Sequence, residues 1–131
     1  MTESRTIALA ALLLLGAAPA PVRIDILNDT AAPMACQILA AHWYTPLPLA
    51  TAAPGHVASL ALAFDATRGE AVDDPKRKLP LETLFCGRVG RAWDTRGTLD
   101  LRSLAARGAT AGVARAACTD AGETLRCTAE P

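Results

Sequence analysis

Val22-Arg23-Ile24-Asp25-Ile26 alternates apolar and charged side chains with a period of two. That spacing puts the branched residues on one face of a strand and the charges on the other, the signature of a sheet with one buried side. Asn28, Asp29, Thr30 and Pro33 follow. Their short polar side chains bond nearby backbone groups, and proline cannot continue a central ladder, so a turn is expected here.

Similar patterns recur along the chain. From Met34 to Tyr44, the residues Met34, Cys36, Ile38, Ala40, His42 and Tyr44 share one strand face. Cys36, Leu39, Ala40 and Trp43 also recur at helical spacing, but so short a segment between proline-bearing turns fits a strand better. Residues 45 to 55 hold Pro46, Pro48, Pro54 and Gly55, an irregular crossing whose Pro54-Gly55 pair suits the centre of a type II turn. Between His56 and Phe64 the large Leu60, Leu62 and Phe64 alternate with small residues and are expected to face the core. Residues 65 to 80 are too polar and aperiodic for burial and are expected as an exposed loop. Their acidic residues lack the alternating spacing of a calcium loop. Leu81 to Val89 returns to a strand pattern around Cys86, and Gly87, Arg88, Gly90, Arg91 and Trp93 suggest a loop or edge with an aromatic anchor.

Asp100 is placed to cap a short helix with Leu101, Leu104 and Ala105 on its apolar face, ending at Gly108. The closing segment predicts a hairpin. Arg115 to Thr119 and Thr124 to Thr128 flank a turn with Gly122 at the first central position of a type II′ loop, which sets Cys118 opposite Cys127. Opposed antiparallel positions have Cα atoms close enough for a disulfide. Cys36 and Cys86 then remain to bridge distant strands, closing a loop of about 50 residues worth about 4 kcal/mol in the loop-entropy model.

The start of the chain sets the chemistry of those cysteines. Ile7 to Leu15 is apolar and leads into Gly16, Ala17, Ala18, Pro19 and Ala20. The run is short of the about 20 residues needed to span hydrocarbon and ends in small residues of a processing site, so residues 1–20 are expected to be a signal peptide and 21–131 a single domain. Export to an oxidising compartment favours structural bridges. No close C-x-x-C pair marks a metal or redox centre.

The full chain holds 13 basic and 13 acidic residues. Without a basic surplus, nucleic acid is not expected as a partner. The scarcity of Lys and Asn beside abundant Arg and Ala suggests a GC-rich bacterial source. No P-loop, dinucleotide fingerprint, H-E-x-x-H or G-x-S-x-G occurs, so no catalytic residues and no cofactor are expected.

These features predict an all-β fold, a small antiparallel β-sandwich of about seven strands with two disulfides and room for one short helix. The expected role is an exported, periplasmic or secreted, non-catalytic binding or accessory domain. Its partner would be another periplasmic or extracellular protein, met by the aromatic patch His42, Trp43 and Tyr44 and the loop residues Arg88, Arg91 and Trp93. No stable membrane span is expected after signal removal. One alternative is a periplasmic copper-type metal protein using His42 and His56, with Met34 as a soft third ligand. The other is a small cryptic hydrolase pairing one of these histidines with Ser59 and an aspartate.

Overall fold

The computed structural model describes residues 18–40 and 50–131. The bulk of the expected signal peptide, together with His42, Trp43 and Tyr44, lies outside the described residues.

Among the described residues nine strands build two facing sheets. The strands are β1 (Ala20–Asp29), β2 (Met34–Ala40), β3 (Ala50–Ala52), β4 (Val57–Asp65), β5 (Glu70–Val72), β6 (Leu81–Arg88), β7 (Gly97–Leu99), β8 (Val113–Ala121) and β9 (Thr124–Ala129), with one helix, α1 (Leu101–Ala111), between β7 and β8. The first sheet has the order β5-β4-β1-β8-β9 and the second β3-β2-β6-β7. The protein is a small all-β fold with two disulfides. Val22, Ile24 and Ile26 on β1, Leu60 and Leu62 on β4, and Ala114 and Ala116 on β8 join Met34, Cys36, Ile38, Leu84 and Cys86 of the opposite sheet in one hydrophobic core. Among the described residues, no helix is long and apolar enough to cross a membrane.

The sandwich is not wholly antiparallel. β8 runs parallel to β1, with Ile24 beside Ala114 and Asn28 beside Cys118. The cause is α1, which carries the chain from the second sheet to the first and lets β8 start at the same end as β1. Parallel neighbours need such a crossover, because a tight hairpin can join only antiparallel ones.

α1 begins as expected, with the Asp100 carboxylate accepting the backbone N–H of Ser103 at 3.2 Å. It does not stop at Gly108. The helix continues to Ala111 and is terminated by Gly112 at φ +86°, a left-handed value that glycine adopts without a Cβ clash. Gly108 is buried inside the helix, where a Cβ would collide with Val22 Cγ1. Its small size admits the helix to the face of β1.

The polar segment 65–80 also differs from an exposed loop. β5 forms within it and pairs with β4, and Ala71 and Val72 are buried. Asp65, Asp73 and Asp74 make this possible by bending the backbone. Asp65 accepts from Thr67 N, Asp73 from Leu79 N, and Asp74 from Lys76 N and Arg77 N, at 2.7 to 3.1 Å. Those backbone bonds from Arg77 and Lys76 hold the Asp74 carboxyl below its usual range.

Both cysteine pairs are bridged as the strand registers require. Cys36 lies opposite Cys86 on β2 and β6, and Cys118 opposite Cys127 on β8 and β9. Each bridge has a Cα separation of 4.0 Å. Gly122 opens the β8–β9 turn with φ +74°, the sign a type II′ turn needs at its first central position. The Pro54-Gly55 turn closes with His56 N donating to Ala53 O at 3.0 Å.

Candidate functional site

β6 explains how Trp93 comes to matter. Leu84 and Cys86 point into the core, so Phe85 between them faces away from it, on the outer side of the second sheet. A lone Phe there would be wet. Instead it is only 2% exposed, and Trp93 meets it edge to face with ring centroids 5.4 Å apart and planes at 83°, a favoured aromatic geometry.

The β6–β7 loop that presents Trp93 is internally braced. Thr95 is buried, and its hydroxyl accepts from Arg88 N at 2.8 Å while donating to Arg91 O at 2.7 Å. Arg91 N donates to Arg88 O, Thr95 N to Arg91 O, and Val89 N to Pro33 O. The loop folds back so tightly that a Cβ at Gly87 would collide with the Ala92 carbonyl. Arg96 completes the unit. Its guanidinium carbon lies 3.9 Å from the Trp93 ring centroid and its Nη1 donates to Trp93 O at 2.7 Å, a cation–π contact secured by a hydrogen bond.

Despite this bracing, Trp93 is 54% exposed and Val89 is 52% exposed. Beside Trp93, a cavity of about 290 Å³ is lined by Leu39, Ala40, Glu82, Thr83 and the Trp93 ring. Arg91 and Arg96 are exposed on the same loop. The combination is a fixed, exposed aromatic ring with one guanidinium, that of Arg96, stacked on it and a largely apolar cavity beside it that also carries Glu82.

Arg88, expected beside Trp93 as a contact residue, faces another task. Its Nη2 pairs with Asp120 Oδ1 at 3.0 Å and donates to Gly122 O, and its Nη1 donates to Glu123 O at 2.8 Å. It clasps the β8–β9 turn. Ala31 N also donates to Asp120, at 3.0 Å. This backbone bond first, and Arg88 second, hold the Asp120 carboxyl below its ordinary value.

Of the proposed metal ligands, His56 is exposed on the turn before β4, with Nδ1 3.2 Å from Pro54 O, while His42 lies outside the described residues. Met34 is fully buried in the core, which removes it as a surface ligand. Ser59, the hydroxyl of the hydrolase alternative, donates to Asp25 Oδ1 at 2.7 Å across β4 and β1, and Asp25 also pairs with Arg23. A carboxylate that accepts the proton and is held by an arginine orients that hydroxyl as a cross-strand tie. Val89, exposed, and Arg96, stacked on Trp93, are not among the residues the sequence singles out. For Arg96 the signal is the short spacing from Trp93, which a turn brings into stacking range.

The chain matches no protein-family model, no curated protein and no solved structure.

Proposed function

We propose that the protein is an exported, periplasmic or secreted, non-catalytic binding or accessory domain of bacterial origin, and that it recognises another protein through the β6–β7 loop. The observation that carries this reading is the exposure of Trp93 and Val89 on a loop braced from beneath by Thr95 and Phe85. Tryptophan and arginine are the residues most enriched among binding hot spots. A ring already fixed in place loses little freedom on contact, so more of its burial is kept as affinity. The two bridges, with no free cysteine among the described residues, support residence in an oxidising compartment.

The exposed Arg91 and Arg96 favour a partner surface carrying carboxylates around an apolar pocket that admits an indole. The test is a comparison of variants with a partner isolated on the immobilised wild-type protein and then purified. Trp93→Ala is expected to weaken its Kd by about 30-fold, corresponding to about 2 kcal/mol. Arg126→Ala on β9 is expected to leave the Kd unchanged. Equal affinity of wild type and Trp93→Ala, with both folded by circular dichroism, removes the loop as the recognition surface.

A further inference from the structure

Each disulfide joins strands within one sheet, yet the two meet across the core. The Sγ atoms of Cys86, Cys118 and Cys127 all lie within 4.8 Å of one another, although Cys86 belongs to the second sheet and the others to the first. Gly97 makes room for this approach. It pairs with Cys86 across β6 and β7, and a Cβ there would stand 3.0 Å from Cys127 Sγ and 2.5 Å from Leu125 O. Any larger residue would push the second bridge away from the first. Leu125 N also donates to Thr95 O at 2.9 Å, holding β9 against the start of β7.

The four cysteines differ in access. Cys36, Cys86 and Cys118 are fully buried, whereas Cys127 is partly buried and lies on β9, the edge strand of its sheet. Cys127 is therefore the one cysteine of the four with any solvent exposure, and its bridge partner Cys118 is already beside a second disulfide.

We propose that the paired bridges form a single thiol–disulfide exchange site, entered at Cys127 by a dithiol reductant and relayed through Cys118 to Cys86. A thiolate of the dithiol attacks Cys127 Sγ, the Cys118–Cys127 bond breaks, and its electron pair leaves on Cys118. The Cys118 thiolate attacks Cys86 Sγ, forming a Cys86–Cys118 bond and expelling Cys36 as a thiolate that takes up a proton. The second thiol of the reductant then closes on the mixed disulfide, leaving as a cyclic disulfide and releasing Cys127 as a thiol. Two electrons and two protons pass from the dithiol to the protein, which exchanges two bridges for one bridge and two thiols. Each step is an ordinary thiolate displacement, with rate set by access and by the departing thiolate. The product bridge spans the facing sheets, an arrangement β-sandwiches accommodate.

The exchange needs no partner at the β6–β7 surface, and its test reads bridges instead of binding. Oxidised, folded protein is treated with one equivalent of dithiothreitol, quenched with iodoacetamide and mapped by peptide mass spectrometry. The expected one-bridge product carries Cys86–Cys118, with alkyl groups on Cys36 and Cys127. Alkylation of Cys118 and Cys127 alone, with Cys36–Cys86 intact throughout the titration, overturns the relay. Alkylation of Cys36 and Cys86 with Cys118–Cys127 intact overturns the entry point and the relay with it. So does Cys36–Cys118 appearing as abundantly as Cys86–Cys118, because random pairing of that kind is the product of an unfolded chain. Cys127→Ser supplies the Cys118 thiol without reductant and is expected to render Cys36 alkylatable. Should that variant not fold, the wild-type map decides alone.

Discussion

Asn28 shows how one polar side chain can organise a junction of strands. It is fully buried at the end of β1, beyond the alternating Val22, Ile24 and Ile26. Its Nδ2 donates to the carbonyls of Ala32 and Ala52, both at 2.9 Å, and its Oδ1 accepts from Thr30 N at 3.1 Å and Thr30 Oγ1 at 2.6 Å. Through these bonds β1 is tied to the β1–β2 turn and to β3 of the facing sheet. The sequence announces Asn28 as turn chemistry. Removing the amide leaves carbonyls and a backbone N–H in the interior without partners, and each such loss is costly. Asn28→Ala is expected to lower unfolding stability by about 3 kcal/mol, measured by urea denaturation with the bridges intact. A change below about 0.5 kcal/mol, the range of ordinary surface substitutions, would show that water replaces the amide there.

At the scale of elements, α1 and β1 depend on one close approach. Gly108 costs helix propensity, about 1 kcal/mol relative to alanine, and the fold keeps it because a methyl group there would collide with Val22 Cγ1. Val22 is itself buried and β-branched, so it cannot swing aside as a long flexible side chain would. Gly108→Ala is therefore expected to destabilise by about 1 to 3 kcal/mol through overpacking, despite its better propensity. Combined with Val22→Ala, the same change is expected to cost less than the sum of the single effects. Additive losses in that double-mutant cycle would refute the contact as the reason for the glycine. The same glycine marks a limit of sequence reading: a helix-ending glycine and a helix-packing glycine are the same letter, and only the partner strand separates them. Longer elements were legible. β1, β4 and the β8–β9 hairpin follow their alternation, and the hairpin register correctly opposed Cys118 to Cys127. β5 was not, because a strand of three residues carries too little periodicity to stand out from the carboxylates that turn the chain around it. The parallel β1–β8 pair was equally hidden, since alternation fixes a strand's faces but not its neighbours. Of the candidate site, Trp93 and Arg91 were visible as residue types in a glycine-bounded loop. The clasp that Arg88 makes was not legible, because nothing local shows that the distant β8–β9 turn lies within its reach.

Seen whole, the molecule is two sheets held together by a shared core, by α1 and by a few polar ties at their edges. The bridges restrict the unfolded chain by about 4 kcal/mol for Cys36–Cys86 and about 2.5 kcal/mol for Cys118–Cys127 in the loop-entropy model, but each lies within a single sheet. Registration of one sheet against the other therefore falls to contacts such as Asp120. Its carboxylate, on β8, receives Arg88 from β6 and the Ala31 N–H from the β1–β2 turn, and so joins both sheets and the connection between them. These bonds depress the Asp120 pKa below its unfolded value of about 3.8. A carboxyl with a depressed folded pKa stabilises the native state fully above the unfolded value, and that contribution is lost as pH falls through the folded pKa. Asp74, depressed by its own backbone bonds, acts in the same direction. Urea midpoints recorded from pH 5 downward are accordingly expected to fall below about pH 4 in the wild-type protein. Asp120→Asn keeps the shape of the side chain but has no proton to take up, so its midpoint is expected to start lower and to fall less steeply. Because Asp74 titrates in both proteins, the difference between the two curves isolates Asp120. Parallel curves across this window would mean that the negative charge of Asp120, held by the Ala31 N–H and by Arg88, contributes nothing to stability.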